Sequence, residues 1–92
     1  MKLVWTQLAL DDRIRIFDYL GERNPLAALD IDELFSQKTG QLIEHQELHK
    51  AGRVKGTREA VVHPNYVLVY QVQDDAVVIL RLLHSAQYGE ET

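Results

Sequence analysis

The sequence predicts an α+β fold of order β-αα-βββ, an antiparallel-rich four-stranded sheet packed against a two-helix hairpin. Three observations predict it. A short β-forming segment opens the chain, two apolar patterns of helical period follow on either side of Asn24-Pro25, and three β-rich runs separated by turn residues close it. Helices joined by so few residues form an antiparallel hairpin, and segregated helices and strands make an α+β domain.

Residues 1–6 (MKLVWT) read as the first strand. From Leu8 the period changes: Leu10, Ile14 and Phe17 recur at helical spacing, Ile16 and Leu20 widen the stripe, and Asp11, Asp12, Arg13, Arg15 and Asp18 are expected to face away. Gly21 marks the expected end of this helix. Asn24 then caps a new one, with Pro25 at a first-turn position whose missing N–H costs nothing. Ala27, Ala28, Ile31, Leu34, Phe35 and Leu42 carry that second helix to about Ile43, with Gly40 expected to fray or kink its last turn. A connector over 44–56 leads to a strand over 57–62 and a turn at His63-Pro64-Asn65. Residues 66–73 (YVLVYQVQ) are apolar on both faces, as a mid-sheet strand must be, and so are 76–84 (AVVILRLLH) beyond the Asp74-Asp75 turn. The tail 85–92 is short and polar, and is expected to be mobile beyond Tyr88.

Ninety-two residues, 46% of them hydrophobic, fit one domain over 1–92. Without cysteine there is no disulfide, thiolate nucleophile or Cys-based metal site, which suits a reducing cytosol. No apolar run approaches the roughly 20 residues of a membrane span, and no signal peptide is legible. A cytoplasmic protein with no membrane partner is expected. The net charge of −4 disfavours a general nucleic-acid binder. Its distribution is uneven, however: residues 1–49 carry nine acidic against five basic side chains, while Lys50, Arg53, Lys55 and Arg58 are opposed locally only by Glu59.

No phosphate loop, dinucleotide fingerprint or Gly-x-Ser-x-Gly elbow occurs, so no cofactor is expected. His45 and His49 are four apart but lack the acid and third ligand of a zinc site, so no metal is expected either. What remains is a set of histidines and cations: His49, His63 and His84, with Lys50, Arg53, Lys55, Arg58 and Arg81. Cleaving RNA by attack of a ribose 2′-hydroxyl needs a base, an acid and cations for the charge on phosphorus, and these residue types can supply them. Tyr66 and Tyr70 share a strand face and are either core or a base-stacking pair. Arg81 in an apolar strand needs an exposed edge or a partner, either phosphate or a helix carboxylate.

Three segments together resemble the RelE/ParE superfamily of toxins from bacterial type II toxin–antitoxin modules. They are WTQLALDDRIRIFDYLGERNPLAAL (5–29), GRVKGTREAVVHPNYVLVYQV (52–72) with its Gly-x-Arg and Tyr-x-x-x-Tyr, and VVILRLLHSAQ (77–87) with its Leu-His ending. The resemblance implies a growth-arresting toxin, of the kind associated with plasmid stabilisation, neutralised by a cognate antitoxin whose flexible C-terminal segment wraps it. It implies one of two activities: ribosome-dependent mRNA cleavage in RelE-type members, or poisoning of DNA gyrase in ParE-type members. Val67 and Gln87 stand where the RelE branch has arginines, so that catalytic set is not retained. The YafQ branch uses histidines and an aspartate. His84 and His49 match its histidines, while Asn65 replaces the aspartate and Val61 a further histidine. The leading expectation is an mRNA endoribonuclease acting on the ribosome, with His84 and His63 or His49 moving protons and Arg58 and Lys55 holding phosphate. The alternative is a ParE-type gyrase poison without chemistry of its own. A homodimer or a toxin–antitoxin hetero-oligomer is compatible with either, and an exposed apolar groove along the hairpin or a sheet edge is expected for the antitoxin.

Overall fold

A computed structural model describes residues 1–45 and 51–86. The order is β1 (Lys2–Trp5), α1 (Gln7–Arg23), α2 (Pro25–Glu44), β2 (Arg58–His63), β3 (Tyr66–Gln73) and β4 (Ala76–His84), in a single sheet ordered β1-β4-β3-β2. β1 runs parallel to β4, and the other pairs are antiparallel. Both apolar runs, β3 and β4, occupy the middle of the sheet, as two-sided burial requires.

Local chemistry sets the boundaries. Thr6 Oγ1 accepts the Ala9 N–H and starts α1. Asn24 serves two helices: its N–H donates to the Leu20 carbonyl at the end of α1, and its side chain accepts the Ala27 N–H to start α2. α1 runs through Gly21 to Arg23 rather than stopping there, and α2 runs through the exposed Gly40 to Glu44. Tertiary packing outweighs the roughly 1 kcal/mol helix penalty of each glycine. Asp74, at φ 51, makes the two-residue turn from β3 to β4, a left-handed position that Asp tolerates.

The core lies between the hairpin and one sheet face. Phe35 and Leu42 from α2 and Ala9 from α1 meet Ala60, Leu68, Tyr70, Val77, Ile79 and Leu82. The hairpin is clamped by Arg13, whose Nε donates to Asp32 Oδ1 (2.7 Å) and whose Nη2 donates to Ser36 Oγ (2.7 Å). One expectation is reversed in α1. The stripe Leu10–Ile14–Phe17 points outward, whereas Asp12 is 2% exposed and turns toward the sheet with Ala9 and Ile16. The physical reason lies in β4, where Arg81 and an unpaired backbone N–H need that carboxylate.

Candidate functional site

β1 ends at Trp5, opposite Ile79, so the outer edge of β4 beyond that point has no strand partner. α1 fills the gap with side chains. Thr6 Oγ1 donates to the Leu80 carbonyl, and Asp12 Oδ2 accepts the Leu82 N–H at 3.0 Å. A bulge accompanies this arrangement, for Val69 opposes Arg81 and Tyr70 opposes Ile79, which leaves Leu80 as the extra residue. Arg81 then grips Asp12 with two bonds, Nε–Oδ2 at 2.8 Å and Nη2–Oδ1 at 3.1 Å, while Arg15 reaches Oδ1 at 3.3 Å. Burial pushes the Asp12 carboxyl up, but the Arg81 hydrogen bonds, the Leu82 N–H and the two guanidinium charges outweigh it and hold the group below its ordinary value.

These residues floor an open cleft of about 930 Å³ between α1 and the end of the sheet. Ile16, Tyr19 and Leu20 form its helix wall; Asn65, Tyr66, Leu82, Leu83 and His84 form the other. Tyr66 opposes both His63 on β2 and His84 on β4, so the three rings form a row across three strands, with centroid separations of 5.9 and 5.5 Å. Each histidine uses Nδ1 as an acceptor, His63 from the Asn65 N–H and His84 from the Ala86 N–H. Burial raises the Tyr66 phenol, with Tyr19 adding to the shift.

The sequence-derived candidates are divided by this geometry. His84, Tyr66 and Arg81 come together at the cleft, and His63 stands next to Tyr66. Arg58 shares the sheet face of Tyr66 and His84, since it opposes Tyr70, but it lies at the start of β2 while His63 lies at its end. With the bulge between Val61 and His63 they span the four steps from Tyr70 to Tyr66 on β3, about 13 Å. Arg53 and Lys55 belong to the loop before Arg58. There the Arg53 N–H donates to the buried Glu59 carboxylate and the Gly52 N–H to the Thr57 carbonyl. The expected union of histidines with connector cations therefore does not form among the described residues. Tyr70 is 0% exposed and packs in the core, leaving no ring face for a base, and burial raises its phenol against the partial opposition of Arg58. Arg81 takes the helix carboxylate as its partner. His49 and Lys50, like Gln87, lie outside the described residues. Among the described residues no cluster of three His, Cys, Asp or Glu side chains could hold a metal ion.

Sequence reasoning missed Asp12, Arg15 and Tyr19 as parts of this cleft. A signal was present: Ala9, Ile16 and Leu20 define a second helical stripe on which Asp12 falls, and the odd Arg81 required an acid.

A second concavity, about 270 Å³, lies on the outer side of the hairpin and is lined by Leu10, Arg13, Ile14, Phe17 and Asp32. Ile14 is 57% exposed there, an apolar surface of the kind that marks an interaction site.

Known proteins resemble this chain in sequence or fold over nearly its whole length. "Toxin RelE2" of Caulobacter vibrioides is 37% identical over 86 residues, covering 94% of this chain and 97% of that protein. A chain of the chromosomal ParDE toxin–antitoxin system from P. aeruginosa superposes with a TM-score of 0.80 at 23% identity, covering 91% of this chain and 95% of its own. The YoeB toxin of Staphylococcus aureus, solved as a dimer, has the same fold at 12% identity, with a TM-score of 0.64 and coverage of 91% and 95%. The family model for the ParE toxin of the type II toxin–antitoxin system parDE matches residues 3–88. From the strand that opens the sheet to the histidine that ends it, this chain belongs to the ParE toxin family within the RelE/ParE superfamily, and is a toxin of a type II toxin–antitoxin system.

Proposed function

We propose that this toxin arrests growth as a ParE-type poison of DNA gyrase, a binding protein with no bond-breaking chemistry of its own. The observation that carries the reading is the separation, among the described residues, of the histidines from the connector cations. His63 and His84 stand at one end of the sheet, while Arg53, Lys55 and Arg58 stand at the other. Concerted acid–base cleavage needs these groups within hydrogen-bond reach of one phosphate, a few ångströms apart rather than about 13 Å along the strand. The arginine that does reach the cleft floor, Arg81, is bound twice to Asp12. The match to the ParE family model over residues 3–88 agrees with this reading.

In the same reading a cognate antitoxin neutralises the toxin in the cytoplasm by docking on the outer groove of the hairpin, over Leu10, Ile14 and Phe17. Their spacing of four and three residues fits the apolar face of a partner helix.

A single pair of assays tests the mechanism. Purified toxin added to gyrase and relaxed plasmid is expected to block supercoiling and trap cleaved DNA. Primer extension on a reporter transcript from cells expressing toxin without antitoxin is expected to show no codon-positioned cuts. Cuts in the transcript with gyrase unaffected would establish the endoribonuclease instead. That second reading is favoured by one observation, the gathering of His84, Tyr66, Arg81 and Arg15 around the cleft.

A further inference from the structure

We infer that the outer groove of the hairpin takes a cationic amphipathic helix, its apolar stripe seated on Leu10, Ile14 and Phe17 and its lysines or arginines on the carboxylates of Asp11, Asp18 and Glu33. The inference rests on the antitoxin docking proposed for this groove and adds the chemistry by which the groove selects its occupant.

The net charge of the chain resides in the hairpin. Residues 7–45 hold eight acidic against four basic side chains, whereas the rest of the chain holds six of each. Positions 46–50 and 87–92, outside the described residues, bring three glutamates and one lysine, so they carry no cationic excess that could mask the rim. The four hairpin cations leave the groove acidic as well. Arg13, on the groove floor, is bound to Asp32 and Ser36. Arg23 lies nine residues from Ile14 and Lys38 nine from Leu29, two and a half turns, so both project from the opposite side of their helix. Arg15 stands between Asp11 and Asp18 but is also bonded to Asp12, and that flank of α1 stays net acidic.

The placement of the carboxylates follows the apolar stripe. Asp11 lies three residues before Ile14 and Asp18 four after it, both exposed beside the groove. Across the groove Asp32 lines the concavity, the exposed Leu29 lies one turn before it, and the exposed Glu33 lies one turn beyond Leu29. An apolar floor with an acidic rim on both helices is complementary to a helix whose apolar face is edged by cations. The same rim disfavours the other occupants. A second copy would bring its own carboxylates to the edge, and an anionic lipid surface or a nucleic acid would meet like charge along the whole groove. Exposed pairs of this kind contribute little each, so they act on the choice of partner and on salt sensitivity more than on total affinity.

The test is a 1H–15N NMR titration of the full-length free toxin with three synthetic peptides. The peptides share three leucines at the four-and-three spacing of a helical stripe. They differ only in six flanking residues, which are all lysine, all glutamine or all glutamate. The lysine peptide is expected to shift the amides of Leu10, Ile14, Phe17 and Leu29. It is expected to bind about tenfold more tightly than the glutamine peptide, with the glutamate peptide weaker still. The preference is expected to shrink to about twofold when NaCl rises from about 0.05 to about 0.5 M. It is expected to shrink as far at low salt in the variant combining Asp11→Asn, Asp18→Asn and Glu33→Gln, whose surface changes leave the rest of the amide spectrum in place. Equal binding of the three peptides at the groove, or a preference untouched by the triple substitution, overturns the charge selection and leaves the groove as a docking site. No shift at the groove with any peptide overturns the docking reading, and the inference with it. Self-association of the free toxin through these amides, or their perturbation by phosphatidylglycerol vesicles, assigns the groove to a second copy or a membrane and overturns the inference as well.

Discussion

Asp12 concentrates most of the residue-scale physics in one carboxylate. It satisfies an orphaned strand-edge N–H, neutralises Arg81 and steadies Arg15, all from a position 2% exposed. Removing one partner of such a cluster strands the other charge. Asp12→Ala is expected to lower unfolding free energy by about 2–3 kcal/mol, below the 3–5 kcal/mol of a fully buried pair because Arg81 retains contact with water. Urea denaturation followed by circular dichroism measures it. The sign with pH follows from the depressed carboxyl: its contribution is fully present above the unfolded value near 3.8 and is lost as pH falls through the lower folded value. Between neutral pH and about pH 3, Asp12→Ala is therefore expected to lose less stability than the unaltered chain. His63 and His84 give a second residue-scale expectation. Since each Nδ1 accepts a backbone N–H two residues on, both neutral imidazoles are expected as the Nε2–H tautomer, and 15N chemical shifts of the ring nitrogens report this directly.

At the scale of elements, α1 has two working faces and only one of them is used for folding. Ala9, Asp12 and Ile16 dock on the sheet, and Leu10, Ile14 and Phe17 stay exposed on the face proposed for the antitoxin. Ile14→Glu is expected to change folding stability by less than about 0.5 kcal/mol, because the site is already solvated in the free toxin. The same substitution is expected to weaken antitoxin binding about a hundredfold, since docking would bury an unpaired charge, and isothermal titration calorimetry with the cognate antitoxin checks it. Loss of stability with unchanged antitoxin affinity would reverse the assignment of that face. The loop before β2 shows the opposite economy, for the Gly52 and Arg53 N–H groups and the Thr57 hydroxyl all bond within the loop or to Glu59. A Cβ at Gly52 would run into the Thr57 side chain and backbone. Gly52→Ala is expected to cost about 1–3 kcal/mol and to be visible as a lowered urea midpoint.

For the whole molecule, the net charge of −4 resolves into surfaces with different duties. Carboxylates dominate the exposed faces of the hairpin, the connector cations sit at the β2 start, and the two arginines of the cleft are tied to one buried acid. Growth arrest by gyrase poisoning needs no proton carrier, so His84→Ala is expected to leave the toxicity of the free toxin within about twofold of the unaltered chain in a plating assay. An endoribonuclease using His84 would lose 10²-fold or more. The order of elements was legible because it rests on local physics: the Asn24-Pro25 cap, the Asp74-Asp75 turn, and the two-sided apolar runs of β3 and β4 that had to lie mid-sheet. The family was legible for the same reason, through segments that keep their order along the chain. Only the tertiary structure decided which stripe of α1 is buried and which candidate residues meet. Periodicity finds an amphipathic helix but does not rank two stripes, and the rank was set by an Arg81 that lies 69 positions away along the chain. The distance between Arg58 and His63 was likewise invisible as chemistry until β2 was seen extended, its two ends carrying the cation and the imidazole to opposite ends of the sheet.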